Sequence, residues 1–420
     1  DGSRINHPSG QPRPAYPVWL ANHPGELGHA DLFTARDAPA TAYYHRRMVL
    51  PDIGVTSKEG WQMTQLNEAD TKLGTFRHVL KSMDLDGFYL TRADRFQGEE
   101  VRDADEYLAY LTGFTGSAGI CLILDRKAGL FTDSRYRLQI AQQTDANLYQ
   151  SFDSGDKTLA QWMAEQEATG QVRLGYDSWC VTVSGLEKLP VKLGQAQISW
   201  VGCETNPLNA VWQNRPHTDS ADIFILDQDI AGKSASQKQA EAAEELHHTG
   251  CRFSLITAPD CVNWLANIRG RDLHYTPFHL CFGLLRDDGD LVFIGGGSIL
   301  QEAGYLVLPF DEVVTYLADF KGAKISCDPA SLPVAMQALL AQAGLEINLR
   351  QEPVLARKAC KNEQEIAGFR EAHLRDGLAL CRFWYWLENS AADTGSSEAE
   401  LAEKLTSFRA EDDSYICDSF

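Results

Sequence analysis

Two successive stretches in which apolar, strand-like runs alternate with amphipathic ones constrain this chain more than any other feature. In the first, residues 63 to 214, Leu66, Leu73, Phe76, Val79, Leu80 and Met83 form a helical stripe, and GFYL follows as a buried strand. Tyr107, Leu108 and Tyr110 mark a helix or turn, LTGFTGSAGICLILD turns into an apolar strand, and GLFTDSRYRLQIAQQ passes from strand to helix at Asp133. The second stretch, residues 221 to 352, repeats the cadence. ADIFILD reads as a strand leaving the first unit, and KSASQKQAEAAEELHHTG reads as a helix capped by Ser234 or Ser236. Such alternation specifies α/β domains, because each amphipathic helix must bury its stripe on a sheet. NPLNAVWQNRPH, with Pro207 and Pro216, is the boundary between them. No residue-level repeat aligns the two stretches, so duplication is only weakly indicated.

The flanks differ. Residues 1–62 hold Pro8, Pro12, Pro14, Pro17, Pro24, Pro39 and Pro51 and no sustained period, and they begin at Asp1. The expectation is that Met63 is the natural start and that residues 1–62 are upstream read-through or a disordered extension. Residues 356–390 read as one long helix, which opens a final segment of helices over 357–420. Asn362 and Glu365 have the spacing of a capping box. Ile366, Phe369, His373, Leu380, Cys381, Trp384 and Leu387 fall largely on one face, with Trp384 expected in a core and Trp386 toward an interface between domains. A second helix is expected from Ser396 or Ser397, supported by Glu400, to near Arg409. The tail SYICDSF reads as the first strand of a sheet whose remainder is absent.

A chain of 420 residues suggests two or three domains. Its formal charge of −20 disfavours nucleic acid and anionic membrane surfaces as partners. No run approaches the roughly 20 apolar residues of a membrane span. The ten cysteines lie mostly in apolar runs and form no CxxC pair, so buried, reduced thiols in a cytoplasmic protein are expected.

Several motifs invite a functional reading and yield to a structural one. GFTGSAG (113–119) and FIGGGSI (293–299) are glycine-rich but lack the spacing of a phosphate loop, so both read as turns. Asp133, Ser134 and Arg135 read as a helix cap, since the GxSxG elbow is missing. His247 and His248, near Glu244 and Glu245, point about 100° apart on a helix and read as solvated surface. His274 and His279 flank Pro277 in a loop, and His373 reads as a hydrogen-bonded packing residue on an apolar helix face. No residue is assigned a catalytic, cofactor-binding or metal-binding role.

Four segments taken in order, DEYLAYLTGFTGSAGICLIL, GLFTDSRYRLQIAQQ, VNWLANIRGRDLHYTPF and KACKNEQEIAGFREAHLRDGLALCRFWYWLE, resemble the three-domain Xaa-Pro aminopeptidases, the aminopeptidase P branch of the creatinase and prolidase superfamily. The resemblance covers residues 63 to 420. It implies an α/β architecture of two creatinase N-terminal-like domains followed by the start of a pita-bread α+β catalytic domain. It further implies a peptidase that releases the first residue of peptides with proline second. Two divalent ions, often manganese, held by two Asp, one His and two Glu, would activate a hydroxide. Those ligands are expected beyond Phe420, so this chain alone is expected to bind no metal pair and to be inactive. A homodimer in the cytoplasm is the family expectation. The alternative is a non-catalytic pita-bread protein-binding module; creatinase and prolidase themselves carry a single N-terminal domain.

Overall fold

The computed structural model describes residues 72–217, 222–391 and 395–418. The expectations for Met63 and for residues 1–62 fall outside that range. The first unit is a seven-stranded sheet of β1 (Gly87–Thr91), β2 (Ile120–Leu124), β3 (Ala128–Thr132), β4 (Gln150–Asp153), β5 (Gln171–Asp177), β6 (Lys192–Leu193) and β7 (Ala196–Cys203), in the order β4-β3-β2-β1-β5-β7-β6. β8 (Ile223–Ile225) pairs with β10 (Ile268–Gly270) in a small ribbon. The second unit is a six-stranded sheet of β9 (Phe253–Ile256), β11 (Phe282–Arg286), β12 (Leu291–Ile294), β13 (Leu306–Leu308), β14 (Lys324–Cys327) and β15 (Glu346–Leu349), ordered β13-β12-β11-β9-β14-β15.

Strand alternation explains why both faces of each sheet are covered. Phe88 and Leu90 of β1, Cys121 and Ile123 of β2 and Leu130 of β3 enter one core with helix 72–82, where Leu73 and Phe76 are fully buried. Tyr89, Leu122 and Phe131 face the opposite way, onto Trp162 and Met163. The second sheet repeats the division: Phe253, Phe282, Leu284 and Val292 share one core, and Ile256, Leu285 and Phe293 the other. Met83, expected on the helical stripe, lies past the helix end and is 41% exposed.

Apart from the edge strand β6, which has no counterpart in the second sheet, the two sheets have the same topology. β1 has an antiparallel neighbour β2 and a parallel neighbour β5; β9 has the antiparallel neighbour β11 and the parallel neighbour β14. Outward from these, β3 and β12 are antiparallel hairpin partners, and β4, β13, β7 and β15 are parallel additions. The units join through the segments that follow β5 and β14. Val183 N donates to Leu332 O at 2.9 Å, and Val334 N donates to Val181 O at 3.0 Å. Phe96 and Val183 of the first unit enter a core of the second, so the seam is apolar as well as hydrogen-bonded.

Helix Pro353–Ala359 leaves the second unit and packs on helices Ala235–Thr249 and Pro259–Ala266. The chain breaks at Cys360–Asn362 before helix Glu363–Trp386, so the helical run over 356–390 is interrupted. Asn362 Oδ1 accepts from Glu365 N at 2.9 Å and Glu365 Oε2 accepts from Asn362 N at 2.9 Å, the reciprocal cap its sequence specifies. Ser234 with Gln237, and Ser397 with Glu400, make the same motif. Helix Glu398–Arg409 then folds back, with Arg409 Nε on Asp376 at 2.7 Å and Arg382 on Glu411 at 2.6 Å.

This helical segment corrects several expectations. Trp384 is 65% exposed and donates to Glu388 at 2.7 Å, and His373 is exposed, so neither packs in a core. Helix Glu363–Trp386 packs mainly on helix Glu398–Arg409 and, near its start, on helix Gln228–Ala231, which leaves Phe369, Leu374, Leu378 and Trp384 of its apolar face exposed. Trp386 is half-buried, with Lys404 over its ring at 5.5 Å. Residues 415–418 form no strand; Asp418 is held by Thr406 and Arg409, which ties the tail to a helix. Cys360 and Cys381 are exposed, whereas Cys121, Cys203, Cys251, Cys261, Cys281 and Cys327 are buried.

Candidate functional site

The glycine motifs are steric devices. Gly113 ends helix Tyr107–Thr112 in the left-handed region (φ 80°), and a Cβ there would sit 2.7 Å from Gln143 O. The turn then feeds β2. In FIGGGSI, Gly296 (φ 121°) lies against His279, whose Nε2 would be 2.9 Å from an added Cβ. Asp133 caps the following turn by accepting from Arg135 N at 3.0 Å. His247 and His248 are exposed on the last turn of their helix.

The two loop histidines part company. His274 is exposed, 3.7 Å from Asp103. His279 is 5% exposed, with Nδ1 3.0 Å from Asp272 Oδ2, and Asn263 holds its backbone on both sides. Burial opposes the Asp272 carboxylate, but hydrogen bonds from His279 and Leu280 N outweigh it and hold its pKa below the usual value. Sequence spacing gave no sign of this pair, because the loop through Pro277 must fold back before Asp272 and His279 meet.

Three buried acids lie elsewhere. Asp94 stands beyond the carboxyl end of β1 and Asp177 is the last residue of β5, and burial raises the pKa of both, that of Asp94 to about 6. Glu352 occupies the N-cap position of helix Pro353–Ala359 without a side-chain capping bond, where the second unit ends, and burial pushes it up to about 7. None was singled out by sequence, since an isolated acid carries no burial signal.

A cleft of about 680 Å³ lies among helices Glu363–Trp386 and Glu398–Arg409, the tail, and Tyr275 and Pro277 of the second unit. Its charges are already matched as Arg375 with Asp412, Arg409 with Asp376 and Arg382 with Glu411. Such pairs position helices and offer no nucleophile or general base. Among the described residues no three His, Cys, Asp or Glu side chains converge to hold a metal ion, and no helix is long and apolar enough to cross a membrane.

Comparison with known proteins accounts for this division. The Creatinase/Prolidase N-terminal domain matches twice, at residues 72–207 and 214–365. A protein of Talaromyces stipitatus named "Probable Xaa-Pro aminopeptidase P" is 30% identical over 86% of this chain and 57% of its own length. "Aminopeptidase P2" of Arabidopsis thaliana is 26% identical over 84% of this chain and 55% of its own. The crystal structure of X-prolyl aminopeptidase from Caenorhabditis elegans, described as a cytosolic enzyme with a di-nuclear active site, superposes with a TM-score of 0.74 at 25% identity, covering 84% of this chain and 61% of that one. This chain thus spans less than two thirds of each relative. The described residues do not supply a donor set that fits a di-nuclear centre. The tandem match, the repeated strand order and the relatives together make this chain a member of the aminopeptidase P family, with two creatinase/prolidase N-terminal domains followed by a helical segment.

Proposed function

We propose that this chain forms the N-terminal scaffold of a metal-dependent aminopeptidase that removes the first residue from peptides with proline in second position. The observation that carries this reading is the uncovered face of helix Glu363–Trp386, where Phe369, Leu374, Leu378 and Trp384 are all more than half exposed. A surface of that kind is normally closed by further polypeptide. In relatives named as Xaa-Pro aminopeptidases about two fifths of the length lies outside the matched part, which supports a catalytic portion as the cover.

On this reading the metal ions, manganese among the candidates, belong to that catalytic portion, and no residue of the 420 is a ligand. The scaffold orients the helix on which the catalytic portion sits. The reading places it in the cytoplasm, in keeping with the cytosolic description of the worm neighbour, and takes it to act as a homodimer. The test is direct: the purified 420-residue chain with manganese is incubated with an Arg-Pro-Pro peptide, and release of free arginine is followed. No release is expected, and metal-dependent turnover would overturn the assignment. Sedimentation of the same chain tests the dimer.

A further inference from the structure

Beyond the carboxyl ends of β1, β5 and β7 lies a cavity of about 150 Å³ lined by Asp94, Arg95, Asp177, Cys180, Asn206 and Arg215, among others. Crevices at this end of parallel strands are the usual ligand positions of open α/β sheets. Its two best-placed charges are unsatisfied. Asp94 is 2% exposed; Oδ1 accepts from Phe96 N at 2.8 Å, while Oδ2 is buried without a hydrogen-bond partner. An orphaned buried carboxylate oxygen is costly and demands a donor. Arg95 lies over the rings of Trp179 (4.9 Å) and Phe310 (4.5 Å), an arrangement that fixes the guanidinium plane while leaving its N–H groups without an acceptor among the described residues.

The remaining charges do not fill these vacancies. Arg215 is committed to Asp105 at 3.0 Å and Ala104 O at 2.6 Å, and Arg102 to Asp105 at 2.9 Å. Asp177 accepts from Trp179 N at 2.9 Å through Oδ1, and the Cys180 thiol also hydrogen-bonds its carboxylate. Cys180 is a thiol kept protonated by burial. With Asp105 set against Arg215 and Glu204 an exposed member of the lining, the buried part of the cavity presents two carboxylates, Asp94 and Asp177, and one fixed guanidinium. A simple anion would meet Asp94 and Asp177, and a simple amine would leave Arg95 without an acceptor. The volume holds a few waters' worth of atoms and excludes a nucleotide or a peptide.

We propose that this cavity binds a free α-amino acid, with its ammonium group on Asp94 Oδ2 and Asp177 and its carboxylate on the Arg95 guanidinium. The binding is a property of the first unit and does not depend on whether the family's hydrolysis occurs here.

The test titrates the 420-residue chain at pH 7.5 with glycine, L-alanine, L-proline and L-arginine by calorimetry and ligand-observed NMR, with ethylamine and acetate as probes carrying one end each. Saturable binding of at least one amino acid is expected, about tenfold or more tighter than either one-ended probe. Asp94→Asn, an isosteric change, is expected to weaken it about tenfold or more, with near-ultraviolet circular dichroism unchanged. Arg95→Gln supplies the second arm and should weaken the amino acids while leaving ethylamine unaffected. Absence of saturable binding by any of the four amino acids, equal binding of ethylamine and alanine, or unaltered affinity in Asp94→Asn would each overturn the assignment.

Discussion

In the first α/β unit the chain leaving β1 runs through residues 92–106 before helix Tyr107–Thr112 begins, whereas the chain leaving β9 enters helix Pro259–Ala266 after Thr257 and Ala258. The strands around these points are equivalent in order and direction. The consequences differ in charge. The long loop of the first unit delivers Asp94 and Arg95 over the sheet's end and leaves a polar cavity. In the second unit Thr257 is buried and donates to Ser331 at 2.7 Å, a neutral, closed pair. A shared strand lattice fixes where a site can stand, and the length of one connection decides whether one exists. The same duplication brings the segments after β5 and β14 face to face across the seam, antiparallel at Thr182 and Pro333.

The comparison can be broken at its core first. Phe88 of β1 and Phe253 of β9 are fully buried in corresponding strands of their units, and replacing either by Ala should cost about 3–5 kcal/mol. Because Phe96 and Val183 cross the seam, both variants are expected to lower one common urea transition followed by tryptophan fluorescence. Two separate transitions would mean that the units stand independently.

Charge gives the next largest effect. Burial, and then the neighbouring Asp105, lift Asp94 to about 6 from 3.8, so its folded pKa exceeds the unfolded one. Stability is then lost as pH rises from about 4 to about 6, by roughly 3 kcal/mol at most, because the unfolded chain ionises first. Asp94→Asn should abolish that loss and be more stable than the parent at pH 7.5, as read by urea midpoints between pH 4 and about 8. Glu352 titrates in an overlapping window, so the quantity to compare is the difference between variant and parent. The second unit, where the neutral Thr257 follows β9, is expected to contribute no such loss; an unchanged pH profile in Asp94→Asn would erase the distinction.

Smaller effects sharpen the boundary between the second unit and the helical segment. Gly232 has φ 74°, and an added Cβ would lie 2.5 Å from Asn362 Oδ1. Gly232→Ala should therefore strain the backbone and disturb the Asn362 cap, at about 1–2 kcal/mol, with faster amide exchange in the first turn of helix Glu363–Trp386. At the low end, Trp384→Ser should change the thermal midpoint by no more than about 0.5 kcal/mol equivalent, since the ring is 65% exposed. A loss on the scale of Phe88→Ala would show that this face is covered in solution.

Periodicity made the sheets and their flanking helices legible, because each strand that alternates between two cores must be apolar on both sides. Capping boxes were equally readable, as at Asn362 and Ser397, since cap and partner lie three residues apart and need no tertiary context. Trp384 misled for the opposite reason: an apolar stripe states that a helix has something to bury, and says nothing about whether the partner is present. The Asp272 and His279 pair, and the loose ends at Asp94 and Arg95, escaped because each depends on loops closing over distant strands.

Local chemistry thus determined the α/β alternation, the helix caps and the glycine turns of this protein, for these depend on neighbours within a few residues. Only the tertiary structure decided that the two units share one strand order, that equivalent segments meet at the seam, and that a single loop leaves two opposite charges unanswered at the end of one sheet. Strand order and burial are set by packing between residues far apart in the chain, and no local pattern encodes that packing.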